Sequence, residues 1–153
     1  MGDRCSVYVY VPTSRLSDAV HALQSAVYFQ PTSTDNVTLR GAPDTPAACS
    51  EIWDDEVNYA GSLSYEEPSD FLGLVHANIP FCGSHNNGDN YGPGVFAYDG
   101  TTFIYTEADW YAESPIILLE MSTGSIDGSA LERANTYHRT YRNVLELFRK
   151  DPS

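Results

Sequence analysis

A chain of 153 residues with 42% apolar and 12% aromatic side chains collapses around a core, which excludes disorder and fits one domain. Its cysteines, Cys5, Cys49 and Cys82, are too few and odd in number for a disulfide-stapled scaffold and point to free thiols in a reducing compartment. With 21 Asp and Glu against 8 Lys and Arg, a formal charge of -13, direct binding to DNA, RNA or anionic lipid through a basic patch is excluded.

Taken in chain order, residues 5–11 alternate Cys5, Val7, Val9 and Val11 with Ser6, Tyr8 and Tyr10, which predicts a strand ended by Pro12. Leu16, Val20, Leu23 and Val27 then recur at helical spacing, predicting an amphipathic helix over 14–29 that Pro31 closes. Residues 31–50 are rich in Pro, Thr, Ser, Asp and Ala. They read as a flexible connection in which only 36–40 resembles a short strand. Over 51–65 two periods compete: Trp53, Val57 and Tyr59 share a strand face, whereas Ile52, Glu56, Tyr59 and Leu63 share a helix face, and the strand is favoured. Pro68-Ser69-Asp70 starts a helix of two to three turns with Phe71, Leu74 and Val75 inward and Asn78 as a left-handed stop.

Asp99-Gly100 between 95–98 and 101–105 predicts a hairpin on a type I′ turn, because that turn needs positive φ at both central residues. This register puts Phe96, Tyr98, Phe103 and Tyr105 on one face and Val95, Ala97 and Ile104 on the other. Residues 116–121 read as an interior strand in which Glu120 is the odd residue. Ser129 and Glu132 form a capping box before Leu131, Ala134, His138, Tyr141, Leu145 and Phe148, predicting a C-terminal helix. The whole is a single-domain α+β fold: a mostly antiparallel sheet with about three helices packed on it, in the approximate order β-α-β-β-α-β-β-β-α.

The N-terminal residues lack a charged segment followed by a long apolar one, and the longest aliphatic run, 116–119, is far too short to span a bilayer. A cytoplasmic location without membrane contact is therefore expected. Charge is unevenly spread. Between Arg40 and Arg133 the chain has no Lys or Arg, while sixteen Asp and Glu fall there, from Asp44 to Glu132. Such asymmetry steers a protein toward a basic partner or a cation.

The loop 83–94 holds four glycines with His85, Asn86, Asn87, Asp89 and Tyr91, without the Lys-Ser/Thr ending of a phosphate-binding loop. Cys82 and His85 form a C-x2-H pair that Cys49, His76 or Asp89 would complete as a zinc site. A structural site normally shows two such pairs, so Cys82 reads as a small buried hydrophobe and no metal or cofactor is expected. Asp54-Asp55-Glu56 matches no calcium loop. Cys82 or Ser84 beside His85 and Asp89 supplies the residue types of a nucleophilic site without its elbow motif, and Glu51, Asp54, Glu66 and Glu120 are candidates for a carboxylate pair.

The expected function is a protein-binding module that occupies a basic surface, such as that of a toxin or a nucleic-acid-binding protein, through Asp54, Asp55, Glu56, Glu66, Glu67, Tyr91, Asp109 and Trp110. In size and charge the chain is similar to compact acidic immunity and inhibitor proteins of bacteria and their viruses, some of which imitate nucleic acid. The alternative is a small-molecule-binding or metal-assisted enzyme with His85, Asp89 and Tyr91 at the 83–94 loop. A third reading is an assembly subunit that uses the aromatic hairpin face.

Overall fold

A computed structural model describes residues 3–24, 33–39, 47–59, 71–85, 94–107 and 128–151. Six strands form one antiparallel sheet: β1 (Asp3–Val11), β2 (Ser33–Leu39), β3 (Ala47–Tyr59), β4 (Phe81–His85), β5 (Gly94–Tyr98) and β6 (Phe103–Glu107), in the order β2-β3-β1-β4-β5-β6. A 3-10 turn over Thr13–Arg15 leads into α1 (Leu16–Leu23); α2 (Leu72–His76) and α3 (Gly128–Arg149) complete the described elements. The fold is α+β, as the pattern of elements predicts.

The pleat of β1 divides the core in two. Val7, Val9 and Val11 join Ile52, Phe81, Phe96, Tyr98 and Tyr105 under α1 and α2, with Ala19, Leu23 and Leu74 from the two helices and Phe71 from the cap of α2. Tyr10 turns the other way, joining Cys49, Cys82, Val95 and Ala97 beneath Tyr137, Tyr141, Val144, Leu145 and Phe148 of α3. Helices therefore cover both sheet faces, which is why the central strands are apolar on both sides. Phe71, Phe81 and Phe96 interlock with ring centroids 4.9 to 6.1 Å apart. Burying each contributes roughly 2–3 kcal/mol.

Several expectations change. Residues 83–85 are not the start of a loop but the second half of β4, whose five residues are all buried, so that no alternation marks the strand. Gly83, Ser84 and His85 thus belong to a strand and Gly94 opens the next, whereas 86–93 lie outside the described residues. Residues 31–50 are not one connection either. They hold all of β2 and the start of β3, paired from Leu39↔Ala47 to Ser33↔Trp53. β2 escapes the composition rule because its Thr34, Asp35, Asn36 and Thr38 are exposed at the sheet margin and need no apolar character.

The ambiguous 51–65 segment is a strand as far as Tyr59, and α1 ends at Leu23; residues 60–65 and 25–29 lie outside the described residues, as does 116–121. The hairpin forms with a register two residues away from expectation: Tyr98 pairs with Phe103, not with Thr101. Asp99 Oδ1 accepts hydrogen bonds from the amides of Thr101 and Thr102, at 3.0 and 2.8 Å, so the connection is a four-residue Asx-type loop with Gly100 alone at φ 94°. A shift of two preserves the face of every side chain, so the predicted faces stand. α3 begins at Gly128, one residue before the predicted cap.

Candidate functional site

The sequence singled out His85, and the fold decides what it can do. On β4 it lies opposite Val7 on one side and Gly94 on the other, nearly buried at 5% exposure. Its Nε2 is 2.7 Å from the hydroxyl of Tyr105, with the two rings stacked at 5.7 Å and 7°. Gly94 makes that contact possible: a Cβ there would overlap both the Tyr105 hydroxyl and the His85 Nε2.

The pleat separates His85 from its expected neighbours. Cys82 packs beneath α3, whereas residues of opposite parity, such as Phe81 and His85, belong to the other face, so Cys82 and His85 cannot share one metal ion. Ser84 is adjacent in sequence and likewise points away from His85. Cys49 and Cys82 sit on strands with β1 between them, about 9–10 Å apart across the sheet and beyond disulfide reach; both are free thiols. Burial pushes the Cys49 thiol up to about 12 and that of Cys82 well above its ordinary value, so neither is a thiolate nucleophile at neutral pH. His76 is exposed on α2. Among the described residues no group of three His, Cys, Asp or Glu could hold a metal ion. Asp89 and Tyr91 of the alternative catalytic set lie outside the described residues.

Of the residues expected to bind a partner, Asp54, Asp55 and Glu56 fall on the second half of β3, where the backbone is described, with Asp54 opposite Val7. Glu66, Glu67, Tyr91, Asp109 and Trp110 lie outside the described residues.

A different acidic and aromatic group assembles on β2, β3 and β1. Asp35 is directly opposite Glu51, and Glu51 directly opposite Tyr10, so the three share one sheet face. One pair toward the next row, Trp53 lies opposite Tyr8 with ring centroids 6.3 Å apart and an interplanar angle of 23°. All but the buried Tyr10 are half-buried or exposed. Burial raises the Glu51 carboxyl above its ordinary range; a hydrogen bond from the Tyr10 phenol lowers it, and the charge of Asp35 raises it again. The described neighbours acting on that carboxyl include no cation. The Tyr10 phenol is itself pushed well up, first by burial and then by Glu51, so it stays protonated and donates.

Reading 31–50 as a connection hid this group, because Asp35 meets Glu51 only once β2 and β3 pair. The signal was the alternation on either side of the Pro- and Asp-containing 40–46 segment. Two described ion pairs, Arg15 with Asp18 and Arg149 with Glu146, each join residues only three apart in sequence. Neither draws on a carboxylate between Arg40 and Arg133. No described helix is long and apolar enough to cross a membrane.

Compared with known proteins, the chain matches no family model, no curated protein and no solved structure.

Proposed function

We propose that the protein is a binding module that occupies a basic surface of another protein. The observation that carries this reading is the opposed pair Asp35 and Glu51, two carboxylates facing each other beside the Tyr8 and Trp53 rings with no cation among the described neighbours that act on Glu51. Like charges set opposite one another in a sheet are destabilising. A Lys or Arg supplied by a partner removes that penalty, and its stem or guanidinium packs on the neighbouring rings. The basic-free span from Arg40 to Arg133 supports the same reading, since a field of one sign accelerates encounter with the opposite sign.

The test is capture from the source lysate on the immobilised protein, washed at low salt and at about 0.5 M, where the screening length is below about 5 Å. A basic protein held at low salt and released at high salt is expected. The Asp35→Lys/Glu51→Lys double variant is expected to lower its association rate roughly tenfold or more. Capture that is indifferent to salt and to the double variant would refute the reading.

A further inference from the structure

Resting on that reading, we propose that β2 is the docking edge: an extended segment of the basic partner, with Lys or Arg at alternate positions, adds to the sheet alongside Ser33–Leu39. Among the described strands β2 and β6 are the sheet margins, and they differ. On β6, Tyr105 and Thr106 are 7% and 3% exposed, on opposite faces. On β2, Thr34, Asp35, Asn36 and Thr38 are all exposed, so both faces of this margin meet solvent.

Edges exposed in this way are normally blunted by Lys, Pro, a bulge or very short length, because a regular edge is a template for another strand. β2 has none of these devices. Its sequence is Ser-Thr-Asp-Asn-Val-Thr-Leu, and all seven residues pair with β3 in unbroken register. Seven residues span about 23 Å, enough for three or four main-chain contacts with an added strand.

Charge selects the occupant. A strand laid beside β2 places one of its residues across from Asp35 on the same face, extending the row Asp35, Glu51, Tyr10. A cation there turns an acidic pair into an alternating one, and opposite charges set across from each other stabilise strand pairing. A second copy of this chain would instead bring a charge of -13 toward another -13. The partner's strand is thus a cationic one.

The experiment uses the full chain and a nine-residue peptide alternating lysine with valine or threonine, two versions of it N-methylated on one or the other alternate set, and a version with glutamate for lysine. Binding is read by fluorescence anisotropy and by amide exchange of residues 33–39. The lysine peptide is expected to bind and to protect those amides. Methylation of one alternate set should weaken binding at least tenfold while methylation of the other is tolerated, since only one edge of an added strand faces β2. Asp35→Lys should weaken it comparably. Equal, salt-sensitive binding of both methylated peptides overturns strand addition and leaves the basic-surface reading standing. So does failure of the lysine peptide to bind while a basic protein is still captured at low salt. Equal binding of the glutamate peptide overturns both. Protection of 33–39 that grows with protein concentration in the absence of peptide overturns the cationic occupant and assigns the edge to a second copy.

Discussion

Glu51 has neighbours that act on it in opposite directions. Burial and Asp35 favour its protonated form, while the Tyr10 phenol favours the carboxylate. The net shift is upward, so the folded protein binds this proton more readily than the unfolded chain does. Stability contributed by this site therefore falls as pH rises through the carboxyl's folded value, and the penalty is fully present at neutral pH. Glu51→Gln keeps an oxygen to accept from Tyr10 and removes the charge facing Asp35. The variant is expected to be more stable than the parent at pH 7.5, by less than about 1 kcal/mol because Asp35 is exposed and water screens the pair. The advantage should vanish near pH 4, where the parent's carboxyl is itself protonated. Denaturant midpoints of both proteins at the two pH values check this; a loss of stability equal at both would show that the Tyr10 bond outweighs the repulsion. Little of this was legible beforehand. Glu51 stood out only as one of several carboxylates, and His85 was matched with sequence neighbours, although its described contact, Tyr105, is twenty residues away on another strand.

Elements were legible where a local rule was sufficient. Asn78 was predicted to end α2 in a left-handed conformation, and it does so at φ 55°. Its amide donates to the Val75 carbonyl, and that of Ile79 to the Leu74 carbonyl, both at 3.0 Å. Buried Leu74 and Ile79 close this Schellman motif. Asn78 also accepts a hydrogen bond from the Tyr98 hydroxyl at 3.1 Å, tying the stop to the hairpin. Asn78→Gly relieves the backbone and loses that bond, whereas Asn78→Ala loses the bond and keeps the strain. Alanine is expected to destabilise by about 1–3 kcal/mol and glycine by distinctly less, measured by chemical denaturation. Equal stabilities would mean that the left-handed backbone is not what Asn78 supplies. Elements were illegible where tertiary context replaced local pattern. β4 carries Gly83 because a Cβ there would strike the Tyr8 carbonyl and the Phe96 ring, contacts made only after three strands assemble. β2 looks like loop sequence because only Val37 and Leu39 pack on the core under α3, while Thr34, Asp35, Asn36 and Thr38 are exposed at the sheet margin.

At the scale of the whole molecule the formal charge of -13 could be counted, but its pairing could not, because that depends on which elements meet. The described ion pairs are local in sequence and leave the central carboxylates unneutralised by them. Self-repulsion of that size opposes folding, and salt screens it. Two salt effects of opposite sign follow. For the free protein, raising NaCl from about 0.02 to 0.5 M is expected to increase Tm, by about 2–4 °C for each kcal/mol of repulsion relieved. For its complex with a basic partner, the same addition weakens association, because the field that strains the free chain is the one that attracts the partner. The pH dependence has a matching shape. Lowering pH from neutral stabilises the fold as Glu51 takes up its proton. Asp99 acts later and in the other direction: burial raises its carboxyl, but hydrogen bonds from the Thr102 amide, Asn143 and the Thr101 amide outweigh this and hold it below its ordinary value. Its contribution is complete above the unfolded carboxylate range and is lost as pH falls through the depressed value. Stability should therefore peak on the acid side of neutrality and fall below about pH 4. Thermal unfolding across pH 3–8 at both salt concentrations tests the two halves together. A Tm that falls on adding salt at pH 7 would mean that internal ion pairs already neutralise the central carboxylates, and the charge would then have no unmet demand for a partner.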